Sequence, residues 1–244
     1  MPVYFISSSQ IQGKHIEIDP SLSHHLCHVL RTRLGDLVRL VDESPKRYTA
    51  RVVPARAGQF SLEIEHEELA PSSTRLFLRL GVGLLKRDQM DWIVQKATEL
   101  GVSRISPVVT NRGVVRPRPE RLSNQHKRWM KIAKEAAQQS CRWEIPQIDL
   151  PSDFGAYLSE PVLGFRFIFS ERHPTFSSRN KIRSELSHSS QYGNILVGPE
   201  GGWAEHEIPD AVQAGYLPLS LGERILRTET AALAALAIVQ YEAG

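Results

Sequence analysis

The chain is poor in cysteine. Of its 244 residues only Cys27 and Cys141 are cysteines, too few for a disulfide framework. No apolar run is long enough to span a bilayer. The opening residues have no basic start followed by an apolar stretch, so no secretory signal is expected. There is no internal repeat and no low-complexity tract. Net charge is nearly absent, since 30 basic residues face 27 acidic ones. With 41% hydrophobic residues, the composition is that of an ordinary globular protein and excludes disorder for the whole chain. A reducing, cytoplasmic setting and no membrane partner are the expectation.

The charge that is present is unevenly placed. Arg112–Lys134 holds eight basic residues and one acid, and Arg31–Arg56 holds seven basic residues and three acids. Glu63, Glu65, Glu67 and Glu68 form an acidic stretch instead. Two basic segments in a nearly neutral chain suit a polyanion, and they also suit solvated helix faces and loops. Arg31, Arg33, Arg112, Arg116 and Arg118 are the candidate RNA contacts.

The first seventy residues read mainly as strand. Leu22, Leu26, Val29 and Leu30 are spaced for one short helix. Asp36–Val41, Tyr48–Val53 and Phe60–Ile64 read as strands, the last two alternating apolar and polar. Gly35-Asp36 and Gly58-Gln59 punctuate them. The expectation is a small barrel-like β domain over 1–70, then a linker over Leu69–Thr74.

From residue 74 to 244 strands and helices alternate. Strands are expected at Leu76–Leu80, Ile105–Val109, Val162–Phe169, Ile195–Val197 and Leu217–Leu221. Helices are expected over Met90–Leu100, ended by Gly101, and over Pro119–Ser140, Ser178–Leu186, Glu205–Ala214 and Thr228–Tyr241. This order predicts an α/β domain with a mostly parallel sheet covered on both faces.

Two glycine-bearing turns follow strands of that sheet, and the carboxyl ends of parallel strands are where such sheets bind ligands. The first is Gly198-Pro199-Glu200-Gly201-Gly202, after Val197. It is neither G-x-G-x-x-G nor a P-loop. A side chain at Gly201 is expected to fill ligand space or to force a disallowed φ. The second is Leu221-Gly222 leading into Ile225-Leu226-Arg227-Thr228-Glu229-Thr230-Ala231. Its Ile-Leu pair suits a flat apolar ring such as adenine. Thr228 reads equally well as a helix N-cap.

His24, His25, Cys27 and His28 look like metal ligands, but a structural zinc site needs four ligands, usually from two segments. Cys141 has no cysteine partner at close spacing, so no metal is expected.

Gln95–Val102 (QKATELGV), Gly198–Gly202 (GPEGG) and Leu226–Ala231 (LRTETA), in this order, resemble the ribosomal RNA small subunit methyltransferase E family. Its members methylate N3 of a uridine in 16S ribosomal RNA and belong to the SPOUT class. His24-His25-Leu26, Val29-Leu30-Arg31, Trp129, Ile132 and Glu135–Arg142 match as well, so the resemblance spans nearly the whole chain. One departure is visible: the family often has a basic residue ahead of its first strand, and Met1–Phe5 has none.

The resemblance implies a C-terminal trefoil knot, a PUA-like first domain that binds RNA, and a homodimer with the last helix at its interface. It implies S-adenosylmethionine held by Val197, Gly198, Pro199, Glu200, Gly201, Leu221, Gly222, Ile225, Leu226, Arg227, Thr228 and Ala231. Uridine N3 carries a proton at neutral pH, so transfer needs a base or stabilisation of the developing anion. Arg227 and Glu229 are the catalytic candidates. Their spacing at a helix start turns them apart, so one is expected to face the base and the other to brace the loop or dimer partner. Arg227 is expected at the base. Glu200 is expected to accept hydrogen bonds within its own loop. A methyltransferase for another RNA position or for tRNA, and an RNA-binding protein with a vestigial cofactor site, are the alternatives.

Overall fold

The computed structural model describes residues 2–54, 60–71, 76–161, 163–171, 178–187 and 191–243. Gly58-Gln59 and the second half of the expected linker, residues 72–74, lie outside them. By internal contact the chain forms two compact units. One is Met1–Ser72 with Ala137–Ile145, and the other is Ser73–Ala136 with Pro146–Gly244.

The first unit contains β1 (Val3–Phe5), β2 (Ile11–Gln12), β3 (His15–Ile16), α1 (Pro20–His24), β4 (Leu37–Val41), β5 (Lys46–Pro54) and β6 (Phe60–Leu69). They form one sheet in the order β1-β4-β5-β6-β3-β2. The pairing is antiparallel except for β1 with β4. Among the described residues no ladder joins its two ends, so the barrel expected from sequence is not closed by strand pairing. The alternation read at Tyr48, Ala50 and Val52 is the buried face of β5. β6 runs on to Leu69 and carries the acidic stretch, with Glu65 and Glu68 paired to Arg51 and Arg47 of β5. Arg47 also donates from Nη2 to the Cys141 carbonyl at 2.8 Å and lies 3.8 Å above the Trp143 ring. These contacts show why Ala137–Ile145, read from sequence as part of the second domain, packs with the first unit.

The short helix differs from its sequence pattern. Asp19 caps α1 by accepting from Leu22 N at 2.9 Å, and Leu22 and Leu26 are buried as expected. Beyond α1 the chain widens, and Leu30 N bonds to His25 O, five residues back. The wider turn swings Val29 and Leu30 off the buried face, leaving them 60% and 45% exposed. His24 and His28 sit side by side, ring centroids 4.6 Å apart. Among the described residues no group of three or more His, Cys, Asp or Glu is placed to hold an ion.

The second unit contains, in order, β7 (Phe77–Gly83), α2 (Arg87–Glu99), β8 (Arg104–Val109), α3 (Pro119–Gln139), β9 (Gln147–Ile148), β10 (Ser152–Asp153), α4 (Phe154–Ser159) and β11 (Phe165–Phe169). α5 (Ser178–Ser187), β12 (Tyr192–Val197), α6 (Glu207–Gln213), β13 (Leu217–Leu219) and α7 (Thr228–Ala243) complete it. The sheet order is β10-β8-β7-β12-β11-β13 with β9 beside β8, and every ladder is parallel. Sequence reading missed β9, β10 and α4, which are too short for a periodicity to register. It ran β13 two residues too far; β11 is Phe165–Phe169, and Val162, where the strand was expected to begin, lies outside the described residues. Gly101 takes φ +85 and ends α2, as its position suggested.

Leu78, Leu80 and Val82 of β7 are fully buried. So is most of Arg79, which such a strand tolerates only with partners. Its guanidinium meets Glu160 at 2.5 Å and Asp149 at 3.7 Å, and its Nε bonds to Ser106. No helix among the described residues is long and apolar enough to cross a membrane.

Candidate active site

Three parallel strands end side by side. Phe169, last in β11, is in register with Val197, last in β12, and with Leu219, last in β13. Both motif-bearing turns therefore leave the sheet next to each other, although eighteen residues lie between them in sequence. Ser170 N bonds to Leu219 O at 2.9 Å, and Trp203 Nε1 donates to Phe169 O at 2.9 Å.

Between these strand ends lies a cleft. Of the residues expected to hold a cofactor, Val197, Gly198, Pro199, Leu221, Gly222, Leu226, Thr228 and Ala231 line it. Glu200, Gly201, Ile225 and Arg227 do not. Gly202, Ser220 and Arg224, within the two turns read from sequence, also line it, and sequence reasoning missed Phe169, Ser170, Glu171 and Trp203, which complete the wall. A signal existed for Ser170 and Glu171, because they too follow a parallel strand. Nothing in sequence says that β11 is inserted between β12 and β13. As its walls stand the cleft holds about 60 Å³. Small-molecule sites usually offer about 300–1,000 Å³. Residues 221–227, which supply part of the wall, form no helix or strand.

The four residues outside the wall have other contacts or none. Glu200 accepts from Gln89 Nε2 of α2 at 2.6 Å, not from its own loop. Gly201 does not have positive φ, which belongs to Gly202 at +68. A Cβ on Gly201 would stand 2.7 Å from the Arg112 carbonyl oxygen. Its missing side chain thus permits close approach of the basic loop, not of a ligand. Ile225 is 83% exposed, so only Leu226 of the Ile-Leu pair faces the cleft. Arg227 is exposed, and its carbonyl accepts from Ala231 N at 2.8 Å. That bond puts Arg227 at the cap position of α7, and Thr228 is the first helical residue and not its N-cap.

Glu229 is half-buried. Its Oε2 is buried and has no hydrogen-bond partner among the described residues, and no ion pair there involves it. Within this chain, and among the described residues, Glu229 Oε2 therefore braces nothing. In the basic loop, Arg116 donates to the carbonyls of Thr110, Asn111 and Gly113 at 2.8–3.1 Å, so its donors order the loop itself. Arg112 and Arg118 are exposed.

The chain matches the model of the RNA methyltransferase domain over residues 72–240 and that of the RNA methyltransferase PUA domain over 18–65. It is 30% identical to ribosomal RNA small subunit methyltransferase E of Bacillus subtilis (strain 168), covering 99% of this chain and 97% of that one. The chain belongs to the ribosomal RNA small subunit methyltransferase E family. A member from Synechocystis sp. is 31% identical over 95% of this chain and 75% of its own length. Among solved structures, the family's protein from Neisseria gonorrhoeae bound to S-adenosyl methionine superposes with TM-score 0.83 at 32% identity, over 99% of this chain and 97% of that one. A putative methyltransferase from Legionella pneumophila, in complex with the same cofactor, superposes with TM-score 0.83 at 29% identity, over 98% and 96%. The α/β fold with a parallel sheet and a PUA-like domain is thus a family property.

Proposed function

We propose that this protein transfers a methyl group from S-adenosylmethionine to N3 of a uridine in 16S ribosomal RNA. The observation that carries the reading is full-length likeness to a relative solved with that cofactor. In this chain the walls of the cleft suit it chemically. Val197, Leu221, Leu226 and Ala231 offer apolar surface to a base, and Ser170, Ser220 and Thr228 offer hydroxyls. Glu171 and Arg224 are the only charged side chains lining it among the described residues. They match the ammonium and carboxylate of an amino-acid moiety.

The cofactor supplies an activated methyl carbon, and the protein supplies position and charge control. N3 lies on the pairing edge, so the uridine must be unpaired or flipped out. Arg227, at the mouth of α7 and free of side-chain partners among the described residues, stabilises the charge on the base. The unpaired Glu229 oxygen is an acceptor for a proton. Arg112 and Arg118, carried beside the glycine turn by the Gly201–Arg112 contact, hold RNA phosphates, with Arg31 and Arg33 on the first unit. The proposal includes the trefoil knot, a homodimer through α7, where Ile238 and Tyr241 are exposed, and a cytoplasmic location.

The test is methylation of small-subunit ribosomal RNA by the purified protein, with the product mapped by mass spectrometry. 3-Methyluridine at one position is expected. A methyl on ribose, on carbon 5 or on another base overturns the N3 assignment, and no incorporation into any RNA overturns the activity.

A further inference from the structure

The first unit has a cavity that neither the cleft nor the basic loop uses. It lies between the wide turn after α1 and the paired strands β1 and β4, and holds about 320 Å³. Leu26, Leu30, Leu37 and Val38 give it apolar walls, with Thr32 and Asp36 at its polar side. Its rim is unusual in two ways. Val29, Leu30, Leu34 and Leu37 are all exposed, by 37–60%, within nine residues of chain. Single exposed aliphatics are ordinary; a contiguous set leading into a cavity marks a binding surface. Interleaved with them are Arg31, Arg33 and Arg39, all exposed, and Arg39 lines the cavity. Among the described residues none of the three guanidinium groups makes a hydrogen bond or an ion pair.

Local backbone produces this display. The five-residue hydrogen bond from Leu30 N to His25 O lifts Leu30 off the core. Arg31 then takes a left-handed backbone, φ +54, a conformation that costs a non-glycine residue on the order of 1–2 kcal/mol. Such widened turns and strained residues gather where a surface serves function. Asp36 Oδ2 accepts from Arg33 N at 2.8 Å and fixes the far side of the loop.

We propose that this cavity takes one unpaired nucleobase of single-stranded RNA, with the flanking phosphates on Arg31, Arg33 and Arg39. An unstacked base has two apolar faces and a polar edge, which matches a pocket of leucines with one threonine and one aspartate. The neighbouring phosphates match three unneutralised guanidinium groups. A duplex keeps its bases stacked and cannot place one in such a pocket. The inference rests on the RNA-modifying reading above and adds that the first unit reads an exposed base besides binding backbone charge.

The experiment uses the full chain and a short single-stranded RNA carrying 4-thiouridine, cross-linked by light and mapped by mass spectrometry. Cross-links are expected within residues 26–39, competed by unlabelled single strand and not by duplex of the same length. Leu30→Glu, at an exposed position, should weaken single-strand affinity about tenfold, the lower end of what one bound base contributes, and leave cofactor affinity unchanged. Arg39→Gln should reduce the salt dependence of binding. Wild-type affinity in Leu30→Glu, cross-links confined to the second unit, or equal competition by duplex each overturn the proposal. Methylation of ribosomal RNA is measured on the same preparations. Methylation without cross-links at 26–39 removes the pocket and keeps the enzyme; cross-links there without methylation do the reverse.

Discussion

The indole of Trp203 donates from Nε1 to the carbonyl of Phe169, 2.9 Å away, tying the glycine turn after β12 to the end of β11. Trp203 is buried, and its ring also packs where a Cβ on Gly198 would fall. Trp203→Phe keeps the bulk and removes the donor. A buried carbonyl left without a partner costs about 1–3 kcal/mol, so a lower melting temperature is expected. Affinity for S-adenosylmethionine should fall with it, because the turn that Trp203 anchors is one wall of the cleft. Calorimetric titration beside thermal melts decides this; unchanged affinity would show that the wall stands without the tie.

Gly201 and Gly202 should fail differently. Gly201→Ala drives a Cβ toward the Arg112 carbonyl and displaces the basic loop, so RNA affinity should drop more than cofactor affinity. Gly202→Ala forces a side chain onto φ +68, at about 1–2 kcal/mol, inside the cleft wall, so cofactor affinity should suffer first. Paired binding isotherms for RNA and cofactor separate the two effects. The same ratio of losses in both variants would mean that the turn acts as a unit.

Arg227→Ala should lower the methylation rate by a factor on the order of a hundred, as when a transition-state donor is lost. The melting temperature should hold, because Arg227 is exposed. For Glu229→Gln the sequence-based expectation is a lost brace to the loop or the dimer partner, and within this chain Glu229 Oε2 has no hydrogen-bond partner among the described residues. An unpaired buried carboxylate oxygen costs folding free energy, so removing its charge should leave stability equal or raised while the rate falls. Single-turnover kinetics and melts on both variants are the measurement. A Glu229→Gln protein that melts early at full rate would restore the bracing role.

The last helix offers a test in pH. Arg183 Nε lies 2.5 Å from Glu242. Its hydrogen bond first, with Arg179 adding to it, holds the Glu242 carboxyl below the usual carboxylate range. A depressed folded value means that the tie between α5 and α7 is present above the ordinary glutamate range, near pH 4.3. It is lost as pH falls through the folded value. Arg183 is exposed, so the gain is small, but the Glu242 titration midpoint read by NMR should rise toward the ordinary value in Arg183→Gln. Identical midpoints in the two proteins would mean that the contact is absent in solution.

Most of the elements were legible because their residues repeat with a period. Met90, Ile93, Val94 and Ala97 are buried along one side of α2, and Tyr48, Ala50 and Val52 along one face of β5. The misreadings have local causes. Val29 and Leu30 fit a helical stripe, but the stripe assumes a regular turn and the chain widens there. β9 and β10 are two residues each, shorter than any pattern. Gly201 looked like a ligand-facing glycine because a turn motif names its residues without saying which side of each meets a neighbour.

Sequence by itself determined two glycine-bearing turns and that they follow parallel strands, because both properties are written in adjacent residues. It determined the family through three motifs in a fixed order. The tertiary structure alone decided what meets across distance. It set β11 between β12 and β13, so that Ser170 and Glu171 joined the wall, turned Ile225 outward, and left a Glu229 oxygen buried without a partner among the described residues. Strand order depends on which apolar faces bury best together, and that sum runs over the whole sheet, where no local pattern records it.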